Sequence, residues 1–137
     1  MNLTRTIIAS VVAFAFIWLT DFLIHGLWLA PVYEATKELW RTEGEMVKRM
    51  PYMFGGQALF GVAFAILYAT FVAEKRSLAC SMLFGFLAAA FYCGNQSIMY
   101  CVAPFPGHLV AKWCLAGTAQ LIVLSIILSF VFRSSKA

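Results

Sequence analysis

Four apolar stretches, residues 7–30, 53–73, 77–103 and 108–132, take up most of this 137-residue chain, and each is long enough to cross a bilayer. About 20 helical residues span the hydrocarbon core. Lipid offers backbone amides no partner, so segments of this length and pattern satisfy themselves as helices. The expected fold class is all-α: an integral membrane antiparallel bundle of four transmembrane helices, forming a single transmembrane domain over residues 1–137. The content of 63% hydrophobic and 12% charged residues argues the same way. Soluble domains carry about 25% charged residues, so a water-soluble core is excluded. Ten Lys and Arg over six acids then serve as a topology signal rather than a nucleic-acid-binding face.

Arg5 ahead of the first run imitates a secretory signal. No small-x-small cleavage site follows, and the run continues through Trp18-Leu19-Thr20-Asp21-Phe22-Leu23, so it reads as an uncleaved first span that ends at Pro31. The segment 32–50 changes character. Glu34, Lys37, Glu38, Arg41, Glu43, Glu45, Lys48 and Arg49 alternate with Leu39, Trp40, Met46 and Val47, the pattern of an interfacial amphipathic helix with a break at Gly44. Glu74-Lys75-Arg76 makes a turn so short that the second and third spans form a hairpin, and Pro104-Phe105-Pro106-Gly107 is a strong turn before the fourth.

Arg5, Lys75, Arg76, Arg133 and Lys136 fall on one side of the membrane, and Lys37, Arg41, Lys48, Arg49 and Lys112 on the other, five against five. The compact Lys75-Arg76 turn and the four Glu that dilute the opposite loop place both termini in the cytoplasm, in a bacterial inner membrane.

Polar residues inside spans are costly and call for an explanation. Asp21, His25, Gln57, Asn95, Gln96 and Lys112 fall at similar depths in one half of the bilayer, as the helical rise shows, and His108 lies on the same side. Asp21 and His25 are four apart, one face of a helix, and are expected to interact directly. Three readings compete. A polar clamp would fix helix register through interhelical hydrogen bonds. A metal site would use Asp21, His25 and His108 as ligands for Cu or Zn. A bis-histidine site would hold haem b between His25 and His108, although the chain offers only this one pair, with His108 near the membrane surface.

Asp21-Phe22-Leu23-Ile24-His25 resembles the opening of a copper-binding site in a membrane subunit of particulate methane and ammonia monooxygenases, where Asp-x-x-x-His precedes a second His. Here Glu38 stands at that later position, a departure from the pattern that falls in the interfacial segment, and the oxygenase activity is not carried over. In layout the chain also resembles small bacterial four-span proteins without a known function.

Ser81, Gly85, Ala89, Cys93, Ser97 and Cys101 place small residues at every fourth position of the third span, a helix-packing ridge. Cys101 and Cys114 lie almost symmetrically about the Pro104–Gly107 turn, a spacing compatible with a disulfide on an oxidising side. No Cys-x-x-Cys, phosphate-binding glycine loop or nucleophile with its base is present, which argues against an enzyme. The sequence therefore points to a small non-catalytic membrane protein, an accessory or assembly subunit that docks through its small-residue ridge, whose partners are the lipid bilayer and helices of its own kind or of a larger complex. The alternative is a metal-binding or transport protein built on the polar layer.

Overall fold

A computed structural model describes residues 2–75 and 77–133. Arg76 and Lys136, which enter the orientation argument, lie outside the described residues. The chain is an all-α bundle with four helices long and apolar enough to cross a membrane. Helix α1 (Leu3–Asp21) opens at Asn2, whose side chain accepts from the Arg5 amide, and continues into a π-helical segment, Phe22–Trp28. A short α2 (Ala30–Ala35) carries Pro31 in its first turn, where the missing amide hydrogen is not needed. A 3-10 turn, Lys37–Leu39, leads to α3 (Glu43–Phe71); a second, Ala73–Lys75, precedes α4 (Leu78–Val102), and α5 is Gly107–Arg133.

The amphipathic segment is thus realised in two pieces, and its break falls before Thr42 rather than at Gly44. The Glu45 carboxylate accepts from the backbone amide and hydroxyl of Thr42, which fixes the start of α3. From there α3 runs unbroken through Pro51 into the membrane, ten residues earlier than the hydropathy boundary suggests. Proline removes one helical hydrogen bond, but residues 41–56 are all exposed, so the carbonyl it releases lies at the surface.

Helix α5 is the hub. It packs along α4 and against α1, and α1 packs along α3. At the end of the bundle near both termini, the Arg5 guanidinium donates to the Phe132 carbonyl, and a core gathers Ala9, Ala13, Phe64, Tyr68, Leu124 and Leu128. At the opposite end, here the connector end, Leu29, Leu109, Val110 and Trp113 form a second core, joined by Tyr33, Trp40 and Phe105. Their rings pack edge-on or stacked at centroid distances of 5.2 to 6.2 Å.

The ridge on α4 is taken up within the chain. Ser81, Gly85 and Ala89 are buried, and a Cβ on Gly85 would lie 2.7 Å from Ile122 Cα and from the Leu121 carbonyl oxygen. Cys93 Sγ lies 3.7 Å from the Cys114 carbonyl oxygen and 3.6 Å from Thr118 Oγ1, also on α5. Only Ser97 and Cys101, beyond the seam, are exposed. Helices α3 and α4 therefore do not pack along their length although a short turn joins them. They meet near that turn, through the 2.6 Å Tyr68–Ser81 hydrogen bond and the Phe64–Phe84 ring contact, and then part.

Candidate functional site

Between the two apolar cores lies a cavity of about 270 Å³ to which α1, the π segment, α3, α4 and α5 all contribute. Asp21 is its centre. Gln57 Nε2 on α3 donates to Asp21 Oδ2 at 2.8 Å, and Gln120 Nε2 on α5 donates to Asp21 Oδ1 at 2.9 Å. The second hydrogen of the Gln120 amide goes to Thr20 Oγ1 at 2.6 Å, and Thr20 in turn donates to the Phe16 carbonyl. Both carboxylate oxygens accept, and the donors are neutral amides. Gln57 Oε1 is buried without a partner among the described residues.

His25 lines the same cavity but is held from the other side. Its Nδ1 lies 2.6 Å from the Tyr33 hydroxyl, and Trp113 Nε1 donates to that hydroxyl at 2.8 Å. With Trp113 donating, the phenol hydrogen is free to go to Nδ1, which assigns the remaining hydrogen of a neutral imidazole to Nε2. Burial raises the Tyr33 phenol above its ordinary range; the Trp113 hydrogen bond lowers it, and the Asp21 charge raises it further. The phenol therefore keeps its hydrogen at neutral pH.

Asp21 and His25 thus share a cavity while each is bonded elsewhere, in place of the direct pair expected from their spacing. The reason is local. The chain turns from α- to π-helical hydrogen bonding at Phe22, and the Leu29 amide reaches back five residues to the Ile24 carbonyl at 2.8 Å. In this widened turn His25 meets Tyr33, eight residues on. π turns inside helices recur at functional sites, which fits the position of this one beside the cavity.

The other residues of the expected layer separate. Lys112 lies over the Trp28 ring, 5.7 Å from its centroid, and does not neutralise Asp21. Asn95 is exposed and Gln96 half-buried, and both border a different groove, between α3 and α4. His108 is exposed at the start of α5, and among the described residues no three His, Cys, Asp or Glu side chains are grouped to hold a metal ion. The Asp21, His25, His108 ligand set is therefore not assembled. Cys101 and Cys114 are free, with Cys101 exposed, so the disulfide that their spacing allows is not formed.

Gln120, Tyr33 and Tyr92 are members the sequence reading missed. Gln120 was visible as an amide at the middle of the fourth span. Tyr33 had no such signal, because it reaches the cavity rim only when the connector folds back. Tyr92 is set by shape: its ring occupies the space that a side chain at Gly117 would need.

No protein-family model, curated protein or solved structure matches this chain. The cavity's own chemistry thus carries the functional argument. Its lining brings a carboxylate acceptor and aromatic walls from Phe60, Tyr92 and Trp113, and it includes Gln57, whose Oε1 is buried without a donor among the described residues. Such a set suits a cation that also brings N–H donors.

Proposed function

We propose that this is a non-catalytic membrane protein that binds a small organic cation, a protonated amine, at Asp21. The observation that carries the reading is a carboxylate facing an intramembrane cavity with two neutral amides as hydrogen-bond donors, beside a buried Gln57 Oε1 that lacks one. A carboxylate in low dielectric favours a compensating cation, and an ammonium hydrogen would satisfy the amide oxygen once the Gln57 side chain turns it toward the ligand. The role is accessory: the cavity offers recognition, and the reading gives no side chain the part of a nucleophile.

The test is equilibrium dialysis of radiolabelled n-butylammonium against protein in phosphatidylcholine nanodiscs. Binding is expected to saturate, to weaken at least about tenfold in Asp21→Asn, and to be weaker for the trimethylated analogue, which has charge but no N–H. A charge-to-neutral change at a hydrogen-bonded ion pair costs 1.5 kcal/mol or more, about tenfold in affinity. Equal binding by wild type and Asp21→Asn would overturn the assignment.

We further infer a bacterial inner-membrane location with both termini cytoplasmic, which puts the cavity in the half of the membrane away from the cytoplasm. The basic side chains Arg5, Lys75 and Arg133 at the terminal end support it, against a connector whose Lys and Arg are interspersed with Glu34, Glu38, Glu43 and Glu45. A reporter fused after Ala137 is expected to be active in the cytoplasm, and Glu43→Cys to be labelled by an impermeant maleimide from outside. Labelling of Glu43→Cys only after the membrane is opened would reverse the orientation.

A further inference from the structure

The parting of α3 from α4 leaves an apolar groove of about 680 Å³ on the lipid side of the bundle, with Ala63, Leu67 and Phe91 among its walls. Phe60 and Tyr92 line both this groove and the Asp21 cavity, so two aromatic side chains are what the two spaces have in common. The wet-side approach differs. A surface cavity under the connector shares only His25 with the Asp21 cavity, and His25 is tied through Tyr33 to Trp113 in the connector-end core. Apolar groove, aromatic junction and carboxylate thus follow one another from the bilayer inward.

We infer that the ligand is a single-chain amphiphile with a primary ammonium head, which enters from the bilayer between α3 and α4 and leaves its alkyl chain in that groove. This rests on the amine-binding reading of Asp21 and adds to it the body of the ligand and its route. The head matches the carboxylate and the free Gln57 Oε1 in charge and hydrogen bonding. The chain matches a groove whose walls are mostly apolar, with Tyr92, Asn95 and Gln96 adding polarity. Alkyl chain gains little by leaving lipid for a protein groove, so the head supplies the affinity and the groove supplies selection for shape.

The experiment uses the full chain in phosphatidylcholine nanodiscs, whose lipid carries no primary amine. A dodecylamine carrying a mid-chain diazirine is photolysed, and the labelled residues are located by mass spectrometry. Labelling that excess dodecylamine competes away is expected on the stretches 63–67 and 84–91. It should vanish in Asp21→Asn, and the matching alcohol probe should give no competable labelling. Competable labelling concentrated on residues 30–46 would overturn the lateral route in favour of the wet side.

Filling the groove provides the second arm. Ala63→Phe and, separately, Leu67→Trp replace exposed groove-wall residues, so the bundle core is untouched. Each is expected to weaken dodecylammonium binding at least about tenfold while n-butylammonium binding stays within about twofold of wild type. If both amines bind the filled variants as they bind wild type, the groove assignment falls and the Asp21 site stands. If neither amine binds the wild-type protein, both fall together.

Discussion

Gly85→Leu is expected to lower bundle stability by about 3 kcal/mol or to prevent folding, whereas Phe86→Leu one position away stays within about 0.5 kcal/mol of wild type. At Gly85 even a Cβ would press on the backbone of α5, at Ile122 Cα and the Leu121 carbonyl oxygen, as well as on Ser125 Oγ. Backbone cannot rotate aside as the tip of a long side chain can. The three carbons that leucine carries beyond Cβ could be admitted only by moving α5 away from α4, which would open the seam along Ser81, Ala89 and Cys93. Phe86 is 57% exposed to the lipid side and loses little when shortened. Unfolding of each variant by denaturing detergent, followed by circular dichroism, measures the difference. Equal stability of the two variants would show that α4 and α5 do not approach closely at this point.

That seam also marks what the sequence could and could not specify. Length and hydropathy placed all four spans, because satisfying backbone amides in lipid leaves little choice. The four-residue spacing of small side chains identified the close-packing face of α4 but not its partner, which proves to be α5 of the same chain. The polar layer was legible in depth, since the helical rise fixes how far into the membrane each residue lies. Rotation about each axis was not legible. Once α4 turns Gly85 and Cys93 toward α5, Asn95 and Gln96 are carried to the groove beside α3, while Gln57 and Gln120 converge on Asp21. Gln120 lies at the middle of its span, outside the connector-side slab that the other polar residues share, so depth alone does not group it with Asp21. The π segment left no trace in Phe22–Trp28, since nothing in that composition distinguishes a five-residue from a four-residue reach. It shows itself only through the contacts it makes, His25 to Tyr33 and Leu29 to Ile24.

Asp21→Leu is expected to cost about 2–4 kcal/mol, and Asp21→Asn less than about 1, although both remove the charge. The leucine strands the Gln57 donor and one of the two Gln120 amide hydrogens inside the bundle, where an unsatisfied group costs about 1–3 kcal/mol. An asparagine can be accommodated. Gln57 Oε1 has no partner to lose, so this amide can turn over and accept from the new Asn side chain, while Gln120 keeps its donation to the Asn oxygen and to Thr20. The same reasoning fixes the sign of the coupling. Adding Gln57→Leu and Gln120→Leu to Asp21→Leu should recover most of the lost stability, because removing all partners together leaves no buried donor unmatched. By contrast, Asp21→Asn combined with His25→Gln should be nearly additive, since His25 is bonded to Tyr33 and Asp21 to the two glutamines. A triple leucine variant no more stable than Asp21→Leu alone would remove the amide–carboxylate network as the reason Asp21 is tolerated inside the membrane. A large coupling between Asp21 and His25 would instead restore the direct pair that their four-residue spacing suggests.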